Sequence, residues 1–177
     1  EQIRYKSRKE IDKMREAGRL AANALRVAAR AARPGVTLLE IDKLAEQYIR
    51  AQGGTPNFKG YHGFPATLCT SINDQVVHGI PSSTCTLSEG DIVSVDVGAI
   101  FEGYYGDNAA TFPVGTVSEQ ALRLLDVTKR SLEAGIEKCV VGGRLYDIGA
   151  AVQEVAEGAG FSVVREYVGH GIGSSMH

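Results

Sequence analysis

Two aspartates, Asp96 and Asp107, are the residues whose placement first indicates chemistry. Asp96 interrupts the apolar run Ile92–Val97, and an unpaired carboxylate in a buried strand would cost roughly several kcal/mol. Asp107 follows across a turn predicted near residues 101–103, and several registers of such a hairpin place both carboxylates on one face, opposite or diagonal. Two close carboxylates repel, so either one takes up a proton or a cation lies between them. In the alternative interpretation, Asp107 lies on the hairpin surface and Asp96 caps a backbone amide.

The histidines favour the cation. The sequence has four of them, His62, His78, His170 and His177, and all lie in glycine-rich segments rather than on predicted helices. A single histidine is more often structural than a ligand, but four in such surroundings indicate a common site. Imidazole beside two carboxylates suits a divalent transition ion such as Mn, Fe, Co or Zn. Because two aspartates supply four oxygens, two ions are feasible, and such a pair could hold a bridging hydroxide.

Helix and strand signals indicate how these residues are positioned. Capping boxes at Ser7/Glu10 and Thr37/Glu40 predict helices to about residue 32 and to Gly53. A third box, Thr116/Glu119, predicts a helix to about Val140, and another is predicted from Leu145 to about Gly158. Strands are predicted at Cys69–Ile72, Asp91–Val97, Tyr104–Phe112 and Phe161–Val168, with a tight turn at Glu102-Gly103.

The order of these elements repeats. A shift of 107 places five residues of one helical segment on identical or similar residues of a later one: Gly35 on Gly142, Leu38 on Leu145, Glu40 on Asp147, Ile41 on Ile148 and Gly53 on Gly160. So few matches could arise by chance, but helix, helix and strand recur in the same order. We therefore predict an α+β fold of two duplicated halves, with helices over one face of a mostly antiparallel sheet. The other face is then free to hold a site.

Four motifs in succession resemble those of the methionine aminopeptidases. They are Asn73-x-x-x-x-His78-Gly79-Ile80-Pro81, Val95-Asp96-Val97, Gly106-Asp107 and Gly169-His170-Gly171-Ile172-Gly173. The resemblance covers essentially the whole chain and is greatest to the type I, bacterial-like short form. It implies the pita-bread metallopeptidase fold and removal of the initiator methionine by hydrolysis of the first peptide bond.

The same resemblance implies roles for individual residues. Asp96 resembles the bidentate ligand of one metal ion, Asp107 the carboxylate bridging two ions, and His170 the imidazole ligand of the second. His78 resembles the histidine near the scissile amide, and His177 the one that binds the substrate carbonyl and its developing oxyanion. The pocket for the methionine side chain would be lined by Phe58, Tyr61, Phe64, Cys69 and Met176, with His62 at the rim. Ordinary core packing is the alternative for each lining residue.

One departure from the family pattern concerns the ligand set. The family uses five metal ligands, and two are glutamates that would lie beyond His177. We therefore expect residues 1–177 to form a single metallopeptidase domain, truncated at its C-terminus. Two alternative functions are an X-Pro peptidase (prolidase or aminopeptidase P) on the same fold and a non-enzymatic binding protein. X-Pro peptidases usually carry a large extra N-terminal domain. A binding protein that had lost its activity would not be expected to retain three metal ligands.

The composition constrains the partners. Hydrophobic residues make up 44% of the chain, charged residues 23%, and the net charge is −2, so we expect no direct nucleic-acid binding. No apolar run is long enough for a membrane span, and three widely spaced cysteines favour a reducing, cytoplasmic compartment. The resemblance implies nascent polypeptides beginning with Met and a small second residue as substrates, and the ribosome as a partner. We expect a monomer.

Overall fold

The computed structural model describes residues 3–177 of the chain. In chain order the elements are α1 (Arg8–Ala31), α2 (Leu38–Ala51), β1 (Thr55–Pro56), a 3₁₀ turn (Tyr61–Gly63), β2 (Leu68–Ile72), β3 (Ile92–Phe101), β4 (Tyr104–Pro113), α3 (Glu119–Glu137) and α4 (Leu145–Gly158). They form two compact units. The first comprises the chain up to Val117 with His170–His177, and the second comprises Ser118–Gly169. None of the described helices is both long enough and apolar enough to cross a membrane.

The helix starts follow the predicted capping signals in two of three cases. The capping boxes at Ser7/Glu10 and Thr37/Glu40 are both formed. The predicted box at Thr116/Glu119 is wrong, because α3 is capped by Ser118, whose hydroxyl accepts the N–H of Ala121 at 3.1 Å. The Thr116 N–H instead donates to the Glu89 carboxylate.

The sheet of the first unit is antiparallel throughout, as predicted. β4 pairs with β3 along its whole length, and β2 and β1 pair with successive parts of β3. The β3–β4 turn is made by Glu102 (φ 48°) and Gly103 (φ 81°). Two consecutive positive φ angles are typical of the tight hairpin turns that match strand twist, so the predicted turn is confirmed.

The two faces of this sheet differ in character. Val93, Val95 and Val97 of β3 are fully buried in a core that includes Leu20 of α1 and Ile41 of α2. Because side chains alternate along a strand, the residues between these valines, including Asp96, point to the opposite face. The prediction of helices over one face of the sheet is therefore confirmed for this unit, and Asp96 lies on the other face.

The second unit contains a helix pair. α3 and α4 pack against each other, and a Cβ atom on Gly135 of α3 would lie 3.0 Å from the Val152 side chain and 3.4 Å from the Ile148 side chain of α4. The predicted strand Phe161–Val168 is wrong, because this segment has no regular secondary structure and the described part of Ser118–Gly169 contains no strand to pair with it. Its start is held by Arg123, whose guanidinium lies 5.3 Å from the centre of the Phe161 ring.

The predicted internal repeat is confirmed in local geometry. α2 and α4 each have 14 residues and begin 107 positions apart. Glu40 and Asp147 each accept the N–H of the preceding N-cap residue at 2.8 Å. Equivalent glycines flank both helices with positive φ, namely Gly35 (87°) and Gly142 (87°) before them and Gly53 (77°) and Gly160 (82°) after them.

Candidate active site

Asp96 and Asp107 meet on the open face of the first unit's sheet. In the β3–β4 register Asp96 is opposite Ala109 and Gly98 is opposite Asp107, so the two aspartates are diagonal neighbours on one face. The two carboxyl groups are close enough to interact electrostatically. The pKa of Asp96 is raised to about 7, first by burial and then by the charge and hydrogen bond of Asp107, against the lowering effect of the Val97 N–H. Of the two arrangements that the sequence left open, opposite or diagonal, the register gives the diagonal one.

One oxygen of Asp96 has an unusual environment. Its Oδ1 is buried and has no hydrogen-bond partner among the described residues, although buried polar atoms are nearly always satisfied. Cys69 of β2 is opposite Asp96 in the sheet. Burial, followed by the negative charges of Asp96 and Asp107, raises the pKa of the Cys69 thiol to about 12, so Cys69 is a neutral wall of the site.

One of the four histidines, His170, adjoins the carboxylates, and a second, His177, packs on it. His170 Nε2 lies 3.5 Å from Asp107 Oδ2, and the His170 and His177 rings pack with centroids 4.3 Å apart. The Tyr61 hydroxyl lies 3.2 Å from His177 Nδ1. The segment that carries both histidines is tied to β4 by the Tyr105 N–H, which donates to the Gly173 carbonyl at 2.9 Å.

The predicted pocket residues lie beside this cluster. Phe58 is buried, and its ring meets that of Phe64 edge-on with centroids 6.5 Å apart. Met176 accepts a hydrogen bond at its sulfur from the Asn57 side-chain amide at 2.6 Å. His62 packs against Tyr61 at 4.4 Å, in a positive-φ conformation.

Sequence reasoning missed Asn57 and Gly98. The Asn57 N–H donates to the Gly98 carbonyl at 2.9 Å. A Cβ atom on Gly98 would lie 2.7 Å from Asn57 Nδ2 and 2.8 Å from Phe58. A glycine inside a strand often marks a close approach of this kind, so Gly98 offered a signal, whereas a lone asparagine in a loop offered none.

His78 belongs to the outer edge of β2. It has a φ of 61° and is exposed. Its neighbour Gly79 accepts the Thr70 N–H at 2.8 Å and donates to the Ser71 hydroxyl at 3.1 Å. A Cβ on Gly79 would lie 2.0 Å from the Thr70 carbonyl oxygen. The structure thus places His78 next to the strand that carries Cys69.

The donor set of Asp96, Asp107 and His170 is suited to a divalent cation. Across residues 3–177, no three His, Cys, Asp or Glu side chains converge closely enough to hold an ion as they stand. The chemistry nevertheless fits, because carboxylate oxygens and imidazole nitrogen are ligands of divalent transition ions. An ion would supply a partner for the unsatisfied Asp96 Oδ1 and offset the repulsion between the carboxylates.

Paired carboxylates beside an imidazole form a donor set of the kind that holds the ions of metal-dependent hydrolases. Residues 12–177 match metallopeptidase family M24, and the chain belongs to that family. The chain is therefore an enzyme of the metallopeptidase class, and the predicted family and pita-bread fold are confirmed.

Individual relatives agree with this assignment. The chain is 53% identical over 175 residues to a methionine aminopeptidase from Clostridium acetobutylicum, covering 99% of this chain and 70% of that protein. The crystal structure of methionine aminopeptidase from Rickettsia prowazekii matches with a TM-score of 0.94 at 40% identity, covering 99% of this chain and 71% of that one. A prolidase from Pyrococcus furiosus shares the fold, with a TM-score of 0.83 at 20% identity over 97% of this chain and 50% of that one.

Proposed function

We propose that residues 1–177 belong to a single metallopeptidase domain of a methionine aminopeptidase, which removes the initiator methionine of nascent proteins by hydrolysing the first peptide bond. The observation that carries this proposal is the buried, unsatisfied Asp96 Oδ1 beside Asp107 and His170. It lies in a chain 53% identical to an enzyme named for this activity. Neither the unsatisfied oxygen nor the paired carboxylates serve the packing of the sheet.

Asp96, Asp107 and His170 would hold two divalent ions, of Co, Mn, Fe or Zn. When bound, such ions polarise the substrate carbonyl and lower the pKa of water so that a nucleophile forms at neutral pH. Binding of a cation would displace the Asp96 proton to solvent, so that both carboxylates would be ionised ligands. His170 Nε2 faces Asp107, at 3.5 Å from its Oδ2, so the nitrogen and the carboxylate oxygen are available to the same ion.

The remaining site residues would bind the substrate. His177 donates a hydrogen bond to the carbonyl oxygen of the methionine, where negative charge develops, and His78 contacts the leaving nitrogen. The methionine side chain is held by Phe58, Tyr61, Phe64, Cys69 and Met176, with His62 at the rim. Aromatic rings and sulfur atoms suit a polarizable, unbranched thioether, and the neutral Cys69 thiol adds no charge to this wall.

We further propose the context of the reaction. The substrates are nascent polypeptides with Met first and a small second residue, presented by the ribosome. The enzyme acts in the cytoplasm as a monomer, without binding nucleic acid directly. We also propose that the enzyme has no membrane partner.

A panel of peptides tests the specificity. With Mn or Co added, the purified enzyme should cleave Met-Ala-Ser with a kcat/KM about tenfold or more above that for Leu-Ala-Ser, and should leave Ala-Pro-Ser essentially uncut. The Asp96→Asn variant is the control that assigns any cleavage to this site. Comparable rates on all three peptides would overturn the methionine assignment, and a preference for Ala-Pro-Ser would indicate an X-Pro peptidase.

A further inference from the structure

The His177 ring lies in a segment without regular secondary structure, so its placement depends on individual contacts. The main chain is fixed at Gly173 by the Tyr105 N–H, and the Ser175 hydroxyl donates to the His177 carbonyl at 3.0 Å. These bonds hold the backbone, whereas the orientation of the imidazole must come from contacts to the ring itself. Such contacts matter because a misplaced hydrogen-bond donor stabilises a transition state poorly.

We infer that Tyr61 is the positioning residue for His177. Its hydroxyl donates to His177 Nδ1, which orients the ring and leaves the N–H on Nε2. The two atoms are 3.2 Å apart, and the ring centroids are 6.0 Å apart at an interplanar angle of 33°. The inference rests on the proposed function, in which His177 donates to the substrate carbonyl.

Tyr61 is itself anchored to the strand that carries Asp96. The Tyr61 N–H donates to the Phe58 carbonyl and the Phe64 N–H donates to the Tyr61 carbonyl, both at 2.9 Å. One residue before Phe58, the chain is bound to β3 by the hydrogen bond to the Gly98 carbonyl. Gly98 is two residues from Asp96, so these bonds connect the main chain of Tyr61 to the strand that carries the carboxylate.

The hydrogen bond from Tyr61 determines which nitrogen of the His177 imidazole carries the proton. A neutral imidazole has one nitrogen that accepts and one that donates, and the hydrogen bond at one nitrogen decides the form of the other. With Nδ1 accepting from the Tyr61 hydroxyl, Nε2 carries the N–H. The His170 ring, 4.3 Å away, limits rotation on another side. Nε2–H is then the donor that a substrate carbonyl requires.

Tyr61→Phe keeps the ring and removes only the hydroxyl. Tyr104→Phe is the matched control, because it removes a hydroxyl that donates to Glu10 at 2.9 Å, outside the site. In nitrogen-15 spectra of labelled histidine, we expect His177 to show the Nε2–H form in the wild-type enzyme and in Tyr104→Phe, and a mixture of forms in Tyr61→Phe. In Tyr61→Phe, kcat on Met-Ala-Ser should fall by about tenfold with KM little changed.

A double variant distinguishes a role of Tyr61 in positioning His177 from a role in lining the methionine pocket. In a His177→Ala background, adding Tyr61→Phe should have no further effect on kcat, because the hydroxyl acts through the ring. An unchanged His177 form in Tyr61→Phe, or an equal loss of kcat in both backgrounds, would overturn the inference. Lack of wild-type activity on Met peptides would instead contradict the proposed function, and the spectra would still decide the role of Tyr61.

Discussion

The four histidines of this chain occupy different chemical environments. His170 faces Asp107 and packs on His177, whereas His78 lies at the outer edge of β2. A histidine that faces a carboxylate pair is suited to bind a cation, and one at a strand edge is suited to contact a substrate. Substitution of His170 and of His78 tests whether the two histidines have these different roles.

We expect His170→Ala to weaken the binding of one metal ion by about tenfold or more, because it would remove the proposed nitrogen ligand. His78→Ala should retain the full metal content while its kcat on Met-Ala-Ser falls by about 100-fold. Metal content of the dialysed variants, measured beside their kinetics, checks both outcomes. Equal metal loss in the two variants would show that the roles are assigned wrongly.

At this scale, residue type and local pattern indicated the carboxylates and histidines of the candidate site. Asp96 was found because a carboxylate is out of place in a run of valine and isoleucine. Asn57 could not be found, because its role depends on Gly98 and Met176, which are distant in the sequence and are brought together only by the fold. The contact between Tyr61 and His177 was unpredictable for the same reason, since 116 positions separate them.

At the scale of elements, α1 and β4 pack without an intervening side chain at one point. Gly106 of β4 lies so close to α1 that a Cβ there would be 2.2 Å from the carbonyl oxygen of Ala17. Gly18 is next to Ala17 in the chain, and a Cβ on it would meet no atom within 4 Å. Neighbouring glycines on facing elements therefore have opposite roles.

Alanine substitution at these two glycines should have opposite effects. Gly18→Ala should stabilise the protein by about 0.5–1 kcal/mol, because alanine favours a helix interior over glycine. Gly106→Ala should destabilise it by about 1–3 kcal/mol, because rigid backbone must move to admit the Cβ. Urea denaturation of both variants measures the difference, and a loss of similar size in both would contradict this account of the α1–β4 contact.

The element predictions succeeded where the signal is local. Ser7/Glu10 and Thr37/Glu40 start helices because each box satisfies its own N–H groups. The sequence of Phe161–Val168 favours a strand, but a strand also needs a partner, and the described residues of its unit supply none. At Thr116, the competing acceptor Glu89 lies far away in the sequence, so the pattern alone could not exclude a capping box.

At the scale of the whole molecule, the two copies of the repeat show that helix ends are determined by local sequence and that burial is not. Leu38 and Leu145 are equivalent first residues of α2 and α4, yet Leu38 is 2% exposed and Leu145 is 83% exposed in the structure. The ends of both helices follow from their own glycines and acidic capping residues. Burial depends on which surfaces lie against each helix, and no repeat of local sequence specifies that.

The global free energy of unfolding should depend on pH through Asp96. Its pKa is raised from an ordinary value of 3.8 to about 7, so between these values the folded state holds a proton that the unfolded state has released. The metal-free protein should therefore lose stability as pH rises from about 4 to 7 and level off above 7. Since one pKa unit corresponds to about 1.4 kcal/mol, we expect a decline of about 1–4 kcal/mol.

Other carboxylates contribute to the same curve, so the comparison must be between variants. Burial also raises the pKa of Asp42, which adds to the decline, whereas hydrogen bonding to Lys59 lowers that of Glu46 and acts in the opposite sense. Asp96→Asn removes the titration of Asp96 from the curve, since an amide does not titrate. Urea denaturation in a chelator at several pH values should show the wild-type stability falling relative to Asp96→Asn up to about pH 7. Parallel curves for the two proteins would mean that Asp96 is ionised in the metal-free fold, and that the site is preformed for a cation without holding a proton in its place.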